Sequence, residues 1–295
     1  MTRVTGADVH RTIASLDPAR DGYEISRLSL VTLHGHPPLV YALFTVAFLK
    51  QVAVPTMART LYRRGTGDIV RSTIERNDDT IVFFGQLLDH GPDSETGRAW
   101  IDRLNQIHAH FPLRNQDSLY TLATLALDPH EITASLGASP FTSREREAHW
   151  MFWRAVAVRQ HIEDVPATAA ELREWSRRYE LLEYEPSREG RAIAAALIEA
   201  FGERCLPRPL RPQAARIISV FCPPALREVH ALPEPGPVIT LAIRAAFHIY
   251  VRTLRHRRLD ASRSLVQEFG DRRYGPRRPE EVGYHRHQRP DKQKE

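Results

Sequence analysis

An imidazole stands in the middle of an otherwise apolar helix face. In residues 98–111, RAWIDRLNQIHAHF, the side chains of Trp100, Ile101, Leu104, Ile107 and Phe111 recur at helical spacing, and His108 falls in their stripe. Arg98, Asp102, Arg103, Asn105 and Gln106 take the opposite, water-facing side. A neutral imidazole at a core position needs a partner, either a backbone carbonyl or a metal ion. A second set of chemistry-bearing residues lies upstream. Arg76, Thr80 and Phe84 stand at i, i+4 and i+8 on one helix face that continues through Leu87 and Leu88. A guanidinium and a hydroxyl aimed where apolar residues aim mark a pocket for something anionic or polar. The other reading is an arginine whose stem runs past the core to pair with a carboxylate.

Both sets require helices, and helical patterns punctuated by proline and glycine fill the chain. Short helices are expected at 6–16, 39–52 and 55–64, the last closed by Gly65-Thr66-Gly67. One at 68–89 would carry Arg76, Thr80 and Phe84, and one at 94–111, stopped by Pro112, would carry His108. Asp117 caps a helix at 118–127 that ends at Asp128-Pro129. Thr142 with Glu145, and Thr168 with Glu171, have capping-box spacing for helices at 143–159 and 168–179. Further helices are expected at 187–202, 213–220, 223–230 and 237–257. No alternating runs joined by hairpin turns occur, so the fold class is all-α, a single large multi-helix domain over residues 1–270. The proline-rich link at 206–212 does not divide it, because neither side alone holds a self-sufficient helix set.

At 295 residues, with 42% hydrophobic and 26% charged side chains, the chain can bury a substantial core and is not disordered throughout. Its two cysteines, Cys205 and Cys222, exclude a disulfide framework or a CxxC metal knot and point to a reducing compartment, the cytoplasm. No apolar leader opens the sequence, and the longest apolar run, 39–49, is too short to cross a bilayer and reads as a buried helix. Residues 271–295 hold eight basic and five acidic side chains and read as a flexible, basic tail. Without aromatic platforms or a binding module, nucleic acid is not an expected partner. The arginine-histidine run 252–258 is expected on the solvent side of the last helix. GxGxxG, Walker, GxSxG and HExxH motifs are all absent.

Four blocks in order give these fragments a common context. They are Arg76-x-x-Asp79-Thr80 after the Thr66-Gly67 pair, Leu104-Asn105-Gln106-Ile107-His108, Gln116-Asp117-Ser118-Leu119-Tyr120-Thr121-Leu122, and residues 141–153 followed by Ile162-Glu163-Asp164-Val165-Pro166. Trp175 and Tyr179-Glu180 continue the series. The series resembles the MpaB and latex-clearing-protein family of oxygenases, most strongly over residues 20–190. The resemblance implies an all-α fold, globin-like in general character, that encloses a haem b. It implies that His108 is the iron ligand and that Arg76 and Thr80 lie beside the haem as candidate catalytic groups, with Phe84 and Leu104 in its pocket. A haem needs an apolar slot, an axial imidazole and positive charge for its propionates. Phe83, Phe84, Trp100, Leu104, Phe111, Trp150 and Trp153 are available for the slot, and Arg76 for a propionate. The implied activity is oxidation of a small hydrophobic substrate, an alkene or terpenoid chain, with O2. The alternative is a non-catalytic protein that carries haem or another apolar ligand.

The chain departs from the family in two places. Rubber-cleaving members have lysine where Asp79 stands, and no glutamate aligns with their distal candidate, so no catalytic base is assigned. The membrane-anchoring helix of fungal members has no counterpart among these residues.

Overall fold

The computed structural model describes residues 3–284. It is built from helices, apart from one antiparallel pair of three-residue strands, β1 Arg3–Thr5 and β2 Arg258–Asp260, in which Val4 faces Leu259. The helices are α1 Gly6–Ser15, α2 Gly22–Arg27, α3 Pro37–Val52, α4 Pro55–Tyr62, α5 Asp68–Arg71, α6 Thr73–His90 and α7 Glu95–His108. They continue with α8 Asn115–Ser135, α9 Ser143–Arg159, α10 Ala169–Glu183, α11 Arg188–Cys205, α12 Ala214–Ser219, α13 Pro224–His230 and α14 Pro237–Thr253.

One apolar core runs from Val31 to Val282 and takes side chains from α3, α6, α8, α9 and α11. Helix α3 lies at its centre, buried on nearly every side from Tyr41 to Val52. That burial explains an apolar run with little amphipathic period. No single helix among the described residues is long and apolar enough to cross a membrane, and α3 turns through 108° into α4. The two polar residues that interrupt its apolar run are buried too. Lys50 Nζ lies 2.6 Å from Asp128 of α8 and 2.9 Å from Glu180 of α10, and Gln51 donates to Thr124. Both expected capping boxes form: Thr142 and Glu145 satisfy each other's backbone N–H groups at the start of α9, and Thr168 and Glu171 do so for α10.

Among the boundaries that differ from the expectation, four have a local reason. Helix α8 does not stop at Asp128-Pro129 but runs to Ser135 with Pro129 inside it. A mid-helix proline costs a backbone hydrogen bond, here the one the Leu125 carbonyl would accept; the buried Lys50–Asp128 pair anchors the chain just before it. Asp117 lies inside the first turn of α8, where Arg114 is the capping position. The 68–89 helix breaks at Ser72 into α5 and α6. Helix α7 ends at His108, so Phe111 belongs to the following turn, its N–H donating to the His108 carbonyl at 2.9 Å.

The C-terminal residues differ most. Residues 271–284, read above as the start of a solvated tail, pack onto the helices: Val282 is fully buried and Phe269 just before them is in the core. The physical reason is two carboxylates on α6. Asp78 receives the Tyr274 hydroxyl at 3.0 Å and faces Arg204 and Arg273 at 3.4 and 3.6 Å. Asp79 pairs with Arg277 at 2.9 Å. The remainder of the expected tail, 285–295, lies outside the described residues.

Candidate active site

Helix α6 distributes three consecutive side chains by the 100° step of a helix. Asp78 and Asp79 turn toward the C-terminal segment, and Thr80 faces a cavity between α3, α4, α6, α7, α8 and α9. Arg76, one turn earlier, and Phe84, one turn later, line the same cavity. Leu104 and His108 enter from α7. All five residues singled out by pattern therefore meet at one place. The space available to water centres is about 180 Å³. One water needs ~10–15 Å³ by that measure, so the cavity is sized for an organic group. Its walls are mostly apolar, with Phe44 and Phe48 of α3, Phe83 of α6, Leu122 of α8 and Trp153 of α9. Phe111 contributes from the turn after α7.

His108 makes no hydrogen bond through either ring nitrogen among the described residues. Burial, reinforced by the positive charge of Arg76, pushes its pKa down to about 4. The ring is thus a neutral imidazole whose lone pair has no protein partner, in contact with an apolar cavity. No carbonyl among the described residues satisfies the ring.

Arg76 is held above the Phe48 ring, 5.9 Å from its centroid, and donates through Nη1 to the Thr80 hydroxyl. The Thr80 proton goes to the Arg76 carbonyl at 3.0 Å. Burial lowers the guanidinium pKa, while the carboxylates of Asp79 and Asp68 oppose the shift; an arginine nevertheless keeps its charge. Asp117 also lines the cavity, but its carboxylate is engaged by the Arg114 fork at 2.7 Å and by the Tyr179 hydroxyl at 2.5 Å.

Two parts of the site escape the pattern reading. Arg63 lines the cavity from a left-handed backbone conformation (φ 49°), followed by Arg64 in the same region (φ 56°). Consecutive non-glycine residues there are uncommon. Gly283 and Tyr284 form another stretch of wall. The Gly283 N–H donates to Asp79 at 3.2 Å, and Arg103 of α7 donates to the carbonyls of Val282 and Tyr284 at 3.3 and 3.1 Å. The Tyr284 ring packs on Phe111, with the Arg63 guanidinium 4.8 Å from its centroid. Arg103 therefore does not simply face water, and neither does Asn105, whose amide binds the Arg159 carbonyl at 3.0 Å. Two expected slot residues stand back from the cavity. Trp100 packs edge-on behind Phe83, and Trp150 donates to the Ala167 carbonyl.

A haem b can be tested against this arrangement. The donor set suits it. The described residues contain no group of three or more His, Cys, Asp or Glu side chains that could hold a bare metal ion. A single neutral imidazole with an open lone pair instead fits a metal that brings its own macrocycle. Arg76 and Arg63 place two cations in a mostly apolar wall that also carries Asp68 and Asp117, and carboxylate substituents of such a group need cationic partners.

The model of a protein family described as ER-bound oxygenase mpaB/B′/rubber oxygenase, catalytic domain, matches residues 31–256. A curated protein, ER-bound oxygenase mpaB of Penicillium roqueforti (strain FM164), is 25% identical over 114 residues, 37% of this chain and 38% of that protein. A solved structure of latex clearing protein LCP in the closed state superposes with a TM-score of 0.50 at 18% identity, covering 83% of this chain and 65% of the other. The match spans less than two thirds of either relative.

Proposed function

The chain belongs to the mpaB and rubber-oxygenase catalytic-domain family, and from that premise we propose that it is a haem b-dependent oxygenase acting on a small hydrophobic substrate with O2. The observation that carries this reading is the unpartnered, neutral imidazole of His108 on a cavity of about 180 Å³. His108 is the proposed iron ligand. A bound haem would supply the iron at which O2 is activated.

The chain's own residues do the rest. Arg76 would pair with a carboxylate substituent of the haem or donate a hydrogen bond toward the oxygen substrate. Because the Thr80 proton is committed to a backbone carbonyl, Thr80 acts by orienting the guanidinium, and Arg76 is the donor that faces the cavity. Phe84 and Leu104, with the aromatic rings around them, exclude water and favour an alkene or terpenoid chain over a polar substrate. Free Cys205 and Cys222 fit a reducing compartment, and the cytoplasm is proposed on that ground.

The test is an absorption spectrum of the protein as purified, which shows a Soret band. In His108→Ala the band is lost or strongly weakened, with helicity retained. Wild-type protein that takes up no haem, or a His108→Ala variant with full haem content and an unchanged spectrum, overturns the assignment.

A second reading, a carrier of haem or another apolar ligand without catalysis, is favoured by one observation. The Arg76 and Thr80 groups satisfy each other, and Asp117 is tied to Arg114 and Tyr179, so these polar groups in the wall are already engaged. Consumption of O2 by the reduced, haem-loaded protein with a panel of alkenes separates the two readings.

A further inference from the structure

Helix α14 turns its apolar side outward. Val238, Leu241, Ala242, Ala245 and Ile249 stand at i, i+3, i+4, i+7 and i+11, one stripe of a helix, and Arg252 continues the line. Val238, Leu241 and Ile249 are 79, 70 and 61% exposed, and Phe247 is the one buried residue of the helix. The opposite face provides the attachment: Phe247 stacks on Tyr250, and the Tyr250 hydroxyl donates to the Leu33 carbonyl at 3.1 Å. An outward aliphatic stripe of this length is not needed for the core.

Its charge is equally one-sided. Residues 237–258 contain Arg244, Arg252, Arg255, Arg257 and Arg258 and no acidic residue. None of the five forms an ion pair among the described residues. Four of them gather at the C-terminal end of the helix and in the turn and strand beyond it. The stripe has no Trp or Tyr of the kind that anchors protein interfaces, and it is a convex helix surface, not a groove.

We infer that α14 and the arginines that follow it form a docking surface for an anionic lipid bilayer. The helix would lie in the interface with its aliphatic stripe among the acyl chains, and the arginines would meet the headgroup charges. This inference is independent of what the cavity holds.

The test is flotation of the full chain with phosphatidylcholine vesicles containing phosphatidylserine, against pure phosphatidylcholine vesicles. Strong binding to the first and weak binding to the second is expected. Leu241→Glu/Ile249→Glu abolishes flotation while leaving the thermal unfolding profile unchanged, since both residues are exposed. Arg252→Glu/Arg255→Glu removes the preference for anionic vesicles, with about a fivefold loss of partitioning expected for each charge removed. Equal flotation of the wild type and the Leu241→Glu/Ile249→Glu variant overturns the proposal. So does a concentration-dependent dimer that the same substitutions dissolve when no vesicle binding is seen, because the stripe then belongs to a second copy of the chain.

Discussion

Arg277 reaches from the C-terminal segment to within 2.9 Å of the Asp79 carboxylate, one residue before the threonine that faces the cavity. The same carboxylate accepts the Gly283 N–H, so one side chain of α6 holds both ends of the strap that completes the cavity wall. Both partners are largely buried, and removing Arg277 leaves the Asp79 carboxylate without its ion-pair partner. Arg277→Ala is expected to cost about 2–4 kcal/mol, read by urea unfolding. It should also speed proteolysis within 271–284 before global unfolding. Unchanged stability together with unchanged proteolysis would sink the strap's dependence on this pair.

Gly283 is constrained twice. Its φ of +84° disfavours any side chain, and a Cβ there would lie 2.8 Å from Ile107 Cδ1 and 3.5 Å from Phe83. Gly283→Ala is therefore expected to destabilise by about 1–2 kcal/mol. Its effect should not add to that of Arg277→Ala, because both release the same segment. A double-mutant cycle in urea measures the coupling, and full additivity would contradict it.

Lys50 is the buried charge on the central helix, shared between Asp128 and Glu180. Lys50→Met leaves the Asp128 carboxylate buried and unpaired and is expected to cost about 3–5 kcal/mol. Lys50→Met/Asp128→Leu should recover much of that loss, because a well-packed apolar pair can replace a buried ion pair. Thermal unfolding of the single and double variants reads the difference.

Acid should weaken the fold through its buried histidines. Burial holds His34 at about 3, His108 and His130 at about 4, and His149 well below its ordinary value. Unfolded, each titrates near 6.5, so the unfolded chain binds protons first. Stability is complete above about pH 6.5 and falls as the pH drops; the loss levels near pH 4 for His108 and His130 and near pH 3 for His34, and continues to lower pH for His149. The expected loss at pH 5 is up to about 2 kcal/mol per histidine. His149→Phe should flatten the slope of the urea midpoint against pH; an unchanged slope would remove His149 from this account.

The His108 stripe and the Arg76, Thr80 and Phe84 face were legible because a helix's period alone aligns such residues, and the structure brings Leu104, Ile107, His108 and Phe111 of the one and Arg76, Thr80 and Phe84 of the other to one cavity. Both capping boxes were legible for the same local reason. What remained hidden depended on distant partners. Pro129 reads as a stop until Lys50, 78 residues away from Asp128 in sequence, is seen holding the preceding turn. Val282, Gly283 and Tyr284 sit among arginines and glutamates, and nothing local distinguishes a solvated tail from one drawn in by two carboxylates on α6. The local signal was limited to Tyr274, Val282 and Tyr284, apolar and aromatic residues in a mostly charged stretch. Arg63 stayed hidden because backbone handedness leaves no periodic trace.

The strap also imposes an order in time. During synthesis the side chains that line the cavity from Phe44 to Gln160 leave the ribosome well before Gly283 and Tyr284. A nascent chain thus carries a nearly complete pocket with one side still open, and the last stretch of wall arrives only after the residues between Gln160 and Gly283 have followed. A flat, rigid guest that enters during that interval is enclosed by the closing of the chain itself.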